Sequence, residues 1–185
     1  MPKNYSKSKS NETPHWYVIT GGPSSGKTTI IEELSKLGYI IYPEAARVFI
    51  NQEIAKDKSL KEIRNNEAEF QRKVLKIKIA VEKTAPKDKT VFFDRAIPDS
   101  IAYYQIYGLG RKEVLKFCQS KKYKKIFFLE QLPFEKDYAR VENEETIKKI
   151  KKLLKENYKN LGYEVINIPA MSIKDRIQKI LSEIS

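Results

Sequence analysis

The chain has 185 residues, of which 41% are hydrophobic and 32% are charged, and its formal net charge is +12. This length and composition are typical of one soluble globular domain, and no apolar run is long enough to span a bilayer. Residues 1–14 lack the apolar core of a secretory signal. We therefore expect a short, disordered, basic lead in 1–14 and a single domain over 15–185.

The positive charge and the single cysteine narrow the classes of ligand. The chain holds 29 lysines but only 7 arginines, and the lysines are spread over predicted helix faces without an aromatic stacking platform. We therefore do not expect a nucleic acid to be the principal ligand. Cys118 has no partner for an internal disulfide, and the sequence shows no Cys/His metal cluster. The expected compartment is the cytoplasm.

Residues 17–31, which read YVITGGPSSGKTTII, combine an apolar strand, a glycine-rich turn and the start of a helix. The spacing Gly21-x-x-x-x-Gly26-Lys27-Thr28 matches a phosphate-binding loop, in which curled backbone N–H groups surround an anion. Lys27 would reach the β- and γ-phosphates of ATP, and the Thr28 hydroxyl would bind Mg²⁺. The alternative is a loop that binds nothing. The predicted nucleotide-binding residues are Gly21, Gly22, Pro23, Ser24, Ser25, Gly26, Lys27, Thr28 and Thr29.

The second predicted strand, 39–42, ends at Pro43 and is followed by Glu44, which opens a helix. Ligand sites in open α/β sheets lie at the carboxyl ends of the strands. Glu44 and Arg47, one helical turn apart, are therefore expected to face the same crevice as the glycine-rich loop. The alternative is a local ion pair at the start of a helix.

Residues 59–83 are predicted to form one long helix, because apolar residues recur there at steps of three and four. This stripe predicts a seam that faces the core, and a dimer seam is the alternative. Glu67 interrupts the stripe; it and Gln71 are assigned to an exposed polar face rather than to a pocket. The oligomeric state stays open.

The strand at 90–93 closes on Asp94 and Arg95. A carboxylate at that position is predicted to hold Mg²⁺, directly or through water. Because an arginine and not a glutamate follows Asp94, the sequence favours transfer to an acceptor over hydrolysis by an activated water.

A polar stretch over 131–145 separates the strand at 124–130 from a long amphipathic helix. Its composition is typical of a mobile lid, and Arg140 is a candidate cation for the transferring phosphoryl group. The alternative is an ordinary loop with a surface arginine. A last strand at 163–168 precedes a closing helix.

Strands near 15–20, 39–42, 90–94, 124–130 and 163–168 alternate with helices along the chain. This alternation predicts an α/β fold in the form of a three-layer sandwich, with a five-stranded parallel sheet and helices on both of its faces.

Four segments together resemble the NadR-type ATPase/kinase domain of the P-loop NTPase superfamily: GGPSSGKTT, PEAAR, FFDRAIPDSIAYY and YARVENEE. The segment at 94–103 also resembles thymidylate kinase. The resemblance covers the chain from His15 to its end and implies a kinase-type sheet with ATP as donor. It further implies that Glu44 acts as base on an acceptor hydroxyl, and that Arg95 and Arg140 contact phosphate.

Three hypotheses follow from the sequence. The favoured one is an ATP- and Mg²⁺-dependent kinase that acts on a small molecule such as a nucleoside or a nucleotide. The second is a nucleotide-binding switch with little turnover. The third is a nucleic-acid-binding or end-modifying protein, which the charge distribution disfavours.

Overall fold

The computed structural model describes residues 13–132 and 144–184, and a five-stranded sheet lies at its centre. Every pair of neighbouring strands is parallel, and the order across the sheet is β2-β3-β1-β4-β5. The predicted parallel sheet of five strands is therefore confirmed. The strands are β1 (Trp16–Gly21), β2 (Ile40–Tyr42), β3 (Val91–Asp94), β4 (Lys125–Leu129) and β5 (Val165–Ile168).

Helices cover both faces of the sheet because side chains along each strand alternate between them. On β1, Tyr17 and Ile19 pack against α1 and α8. Trp16 and Val18 point to the opposite face, where they meet Tyr158 of α7. The predicted three-layer α/β sandwich is confirmed. The described helices are α1 (Lys27–Lys36), α2 (Ala45–Ile54), α3 (Leu60–Ile63), α4 (Glu67–Thr84), α5 (Asp99–Ile106), α6 (Lys112–Leu115), α7 (Glu144–Asn160) and α8 (Ile173–Ser182).

The prediction of one helix over 59–83 was wrong, because two helix starts occur in that segment. Ser59 and Glu62 form a reciprocal capping box at the start of α3. The Asn66 side chain accepts the Glu69 N–H and starts α4 afresh. Gln71 is buried on α4 rather than exposed, which corrects its assignment to a polar surface.

The apolar stripe of α4 faces the core, as the spacing predicts. Phe70 and Val74 are buried against Ala45 and Ile50 of α2. In the described ranges, no helix has both the length and the apolar character needed to cross a membrane. Most of the basic lead and most of the predicted lid fall outside the described residues.

Candidate active site

The phosphate-loop residues lie where β1 ends and α1 begins, at the carboxyl edge of the sheet. Lys27 is buried, and its ammonium group donates to the Gly22 carbonyl at 2.9 Å and to the Ser25 hydroxyl at 3.2 Å. The Ser25 hydroxyl also donates to the Gly22 carbonyl, at 2.9 Å. The ammonium group of Lys27 is therefore held against the loop by two of the loop's own residues.

Two glycines in this loop occupy positions that a larger residue could not. A Cβ atom on Gly21 would lie 2.5 Å from the Leu129 carbonyl oxygen, because β1 and β4 pair closely there. Gly26 has a φ of 78°, in the left-handed region that favours glycine, and caps the start of α1. The loop conformation thus depends on the residue types that the spacing identified.

Glu44 and Arg95 meet across the ends of β2 and β3, although 51 positions separate them in the sequence. Arg95 Nε donates to Glu44 Oε1 at 2.8 Å, and Oε2 has no hydrogen bond to any described residue. Arg95 has a φ of 63°, an uncommon conformation for a residue with a side chain. Its N–H donates to the Ile19 carbonyl at 3.0 Å, which ties this strained residue to β1.

Asp99 is the centre of a buried network behind Arg95. It is fully buried, and its Oδ1 accepts from Arg95 Nη1 at 3.3 Å and from the Thr20 hydroxyl. Its Oδ2 accepts the Ala96 N–H at 2.9 Å and the Tyr158 hydroxyl. One carboxylate thereby joins β1, α5 and α7, and fixes the guanidinium that contacts Glu44.

Asp94 is buried at the end of β3, and its Oδ1 has no hydrogen-bond partner among the described residues. An orphaned carboxylate oxygen in such a place is suited to a divalent cation. Thr28, an exposed residue in the first turn of α1, carries a hydroxyl that offers a second oxygen, so the donor set fits Mg²⁺. The described ranges hold no cluster of three or more His, Cys, Asp and Glu residues that could bind a metal alone. A cation here would therefore need phosphate oxygens and water to complete its coordination shell.

The charges at this edge perturb one another strongly. Burial, and then the neighbouring Glu44, raise the pKa of Asp94 to about 7 against the opposing effect of Lys27 and Arg95. Burial, and then Arg95, lower the pKa of Lys27 to about 8. Burial alone would raise the pKa of Glu44, but Arg95 and Lys27 outweigh it and lower that pKa below its usual value. Acidic and basic side chains whose pKa values are shifted and that lie close together are typical of functional sites.

The other residues predicted for the site lie in or beside the loop, on α2 or outside the described residues. Pro23, Ser24 and Thr29 lie in or beside the loop and are half-buried, and Ser24 has a left-handed φ of 55°. Arg47 lies one turn into α2, and its charge helps to lower the pKa of Glu44. Arg140 lies outside the described residues, as does 133–143 of the predicted lid.

Two residues at this site were missed by reasoning from the sequence. Asp99 follows Arg95 by four positions, a spacing that could have identified the pair. Arg176 is a charged residue on the otherwise apolar buried stripe of α8, beside Ile177 and Ile180, and this unusual position was the available signal. Its side chain contacts three carbonyl oxygens around the phosphate loop.

A family model described as an AAA domain matches residues 16–176. The chain belongs to this AAA-domain family. Its fold is that of a P-loop NTPase of nucleotide-kinase type, which confirms the resemblance inferred from the sequence. Among curated proteins, no sequence matches this AAA-domain chain.

Several solved structures share the fold of this AAA domain at low sequence identity. A deoxyadenosine kinase from M. mycoides, solved with dCMP and dCDP, has 18% identity and a TM-score of 0.61 over 91% of this chain and 97% of its own. A thymidylate kinase from Candida albicans has 15% identity and a TM-score of 0.58 over 93% of this chain and 91% of its own. The NadR protein in complex with NAD and AMP-PNP has 16% identity and a TM-score of 0.61 over 91% of this chain, but only 48% of its own.

Proposed function

We propose that this protein is an ATP- and Mg²⁺-dependent phosphotransferase that acts on a small molecule such as a nucleoside or a nucleotide. The observation that carries the proposal is the position of Glu44. This carboxylate lies at the same sheet edge as Lys27 and Asp94, and its pair with Arg95 leaves Oε2 without a hydrogen bond from any described residue. The named structural neighbours, which include nucleoside and nucleotide kinases, support this substrate class.

On the donor side, the loop amides and Lys27 would bind the β- and γ-phosphates. Asp94 and Thr28 would hold Mg²⁺, which when bound neutralises charge on the phosphate oxygens. The Lys27 ammonium would exchange its contact with the Gly22 carbonyl for one with a phosphate oxygen. Catalysis of this kind depends mainly on positioning and electrostatics.

On the acceptor side, Glu44 Oε2 would accept the proton of an acceptor hydroxyl. The hydroxyl oxygen forms a bond to the γ-phosphorus, the bond from that phosphorus to the bridging oxygen breaks, and ADP leaves. Arg95 would hold Glu44 in place and reduce the charge repulsion between it and the phosphates. We also assign Arg140 to the transferring phosphoryl group, on its position in the sequence alone.

A nucleotide-binding switch is the second candidate, and one observation favours it. The Arg95 ion pair lowers the pKa of Glu44, and a weaker base is a poorer catalyst of proton transfer. A switch would bind a nucleoside triphosphate tightly and release ADP slowly whatever acceptor is present.

Acceptor-dependent release of ADP tests the proposal. The protein is incubated with MgATP and a panel that includes deoxyadenosine, thymidylate and nicotinamide ribonucleoside, and ADP is measured by a coupled assay. We expect at least one acceptor to accelerate ADP release. Tight ATP binding without any acceptor dependence over a broad panel would instead favour the switch.

The variant Glu44→Gln separates transfer from binding. We expect it to bind ATP as the unchanged protein does and to lose transfer by about 10²–10⁴-fold, the usual contribution of a general base. Glu53→Gln, at the other end of α2, is the matched control and should leave transfer unchanged, because Glu53 pairs with Lys56 and Lys58. Full transfer by Glu44→Gln would remove Glu44 from the role of base.

A further inference from the structure

Arg176 joins three segments of the chain at the carboxyl edge of the sheet. It is 1% exposed, and its Nη1 donates to the Ser25 carbonyl at 2.6 Å. Its Nε donates to the Pro169 carbonyl at 2.9 Å, and its Nη2 donates to the Glu130 carbonyl at 3.0 Å. One guanidinium thus connects the phosphate loop to the residues that follow β4 and β5.

The charge of Arg176 is not neutralised by an ion pair within the described residues. Glu130 meets it through a backbone carbonyl, while the Glu130 carboxylate pairs with Lys155 at 2.7 Å. An arginine stays protonated in such a place, and burying its charge without a carboxylate is costly. The three carbonyl oxygens offset part of this cost, and the remaining positive field acts on the loop beside it.

The contact with Ser25 determines the direction of a loop amide. The peptide group is planar and trans, so the Ser25 carbonyl and the Gly26 N–H point in opposite directions. Because the carbonyl points at Arg176, the Gly26 N–H points away from the guanidinium. A Cβ atom on Gly26 would lie 3.4 Å from Arg176 Nη1, so the guanidinium packs directly against the loop just before Lys27.

We propose that Arg176 is the positioning residue of the phosphate loop: it orients the Ser25–Gly26 peptide and adds its charge to the field that a triphosphate meets. The assignment rests on the proposed function, because it requires that the loop binds a nucleoside triphosphate. Arg176 acts through the loop backbone and needs no contact with the nucleotide.

Two substitutions at Arg176 and one control on the same helix test this assignment. Arg176→Met keeps an unbranched stem of four heavy atoms but removes the guanidinium, and with it the charge and all donors. Arg176→Lys keeps the charge but replaces the planar fork with one ammonium group. Lys174→Met removes one positive charge from an exposed position of α8, and so controls for long-range electrostatics.

Calorimetric dissociation constants for MgATP and for inorganic tripolyphosphate with Mg²⁺ are the readout. Arg176→Met should weaken both by about 10- to 100-fold, the range for loss of a charged hydrogen bond. The dissociation constants of Arg176→Lys should lie between those of Arg176→Met and those of the unchanged protein. Those of Lys174→Met should stay within about twofold of the unchanged protein. Tripolyphosphate has no nucleobase or ribose, so a parallel loss of affinity for both ligands identifies an effect on the phosphate loop.

Three results would overturn the assignment while leaving the proposed function intact. These are unchanged affinity in Arg176→Lys and Arg176→Met, a loss for ATP without a loss for tripolyphosphate, or an equal loss in Lys174→Met. If Arg176→Met does not fold by circular dichroism, Arg176→Lys decides alone. An unchanged protein that binds neither ligand would instead overturn the proposed function itself.

Discussion

The two sides of the candidate site are built in different ways. The donor side is a local structure, in which residues 21–28 fold on themselves and Lys27 bonds within its own loop. The acceptor side is a network of side chains that are distant in the sequence, because Arg95 meets Glu44 from 51 positions away and Asp99 meets Tyr158 from 59. Main-chain atoms form the first side, and ionised side chains form the second.

Because of this difference, we expect the two sides to respond differently to substitution. Backbone amides carry no net charge and cannot titrate, so the donor side depends on conformation and on one lysine. The acceptor side balances buried charges of both signs, and removal of one partner leaves another buried and unpaired. We therefore expect substitutions on the donor side to affect binding mainly, and those on the acceptor side to affect transfer and stability together.

The largest expected effect comes from Lys27→Ala on the donor side. Loss of this ammonium should reduce ATP turnover by at least about 10²–10³-fold with any acceptor, by analogy with the loss of one oxyanion donor. Because Lys27 is a point charge in a loop built from backbone, the fold should persist in circular dichroism. Lys36→Ala, at the exposed end of α1 where Lys36 pairs with Glu33, is the matched control. Retained turnover in Lys27→Ala would contradict the proposed donor side.

The next largest effect is expected from Asp99→Asn on the acceptor side. This change removes a fully buried charge that accepts from Arg95, Thr20 and Tyr158. We expect a loss of about 2–4 kcal/mol in the free energy of unfolding, together with slower transfer, because Arg95 would no longer be fixed against Glu44. ATP affinity should change less than transfer, since the hydrogen bonds described for Asp99 all come from residues outside 21–28.

Tyr158→Phe sharpens the same experiment. It removes one hydroxyl donor and leaves the charge of Asp99 in place, so its cost should be about 1 kcal/mol. Chemical denaturation measures the free energy of unfolding of both variants, and calorimetric titration measures their affinity for ATP. If Asp99→Asn lowered ATP affinity as much as Lys27→Ala does, the proposed independence of the two sides would be wrong.

The same contrast explains how much the sequence could predict. Gly21, Gly26, Lys27 and Thr28 share one short motif, so their arrangement followed from spacing alone. The strands were also predicted, because apolar runs alternate clearly with helical patterns. The family match over 16–176 agrees with both.

Other features depend on contacts that no local pattern records. The break between α3 and α4 arises from the Asn66 cap within a stripe that looks continuous. The Glu44–Arg95 pair was not predicted: each residue was placed after its own strand, and the sequence suggested Arg47 as the local partner of Glu44. Asp99 and Arg176 act through partners brought close by the fold, and their residue types alone do not reveal this.

The last prediction concerns Asp94→Asn, at a residue assigned to the cation on the donor side whose buried carboxylate also lies within the electrostatic influence of Glu44 and Arg95 on the acceptor side. Burial, and then Glu44, raise the pKa of Asp94 from 3.8 to about 7, so the folded state disfavours the ionised carboxylate. Near pH 4 this costs little, because the folded carboxyl stays protonated and the unfolded one is only half ionised. As the pH rises toward 7 the unfolded chain gains from ionisation that the folded chain resists, and above 7 the penalty is complete.

Asp94→Asn should therefore stabilise the free protein by about 1–3 kcal/mol at pH 8 and by much less near pH 4. The same variant should lose Mg²⁺-dependent turnover, because an amide is a poorer ligand for the cation. Thermal unfolding at the two pH values measures the first effect, with the exposed Asp88→Asn as control. A melting temperature at pH 8 equal to or below that of the unchanged protein would show that Asp94 is already compensated in the fold. In that case a bound cation would have no unfavourable charge at Asp94 to offset.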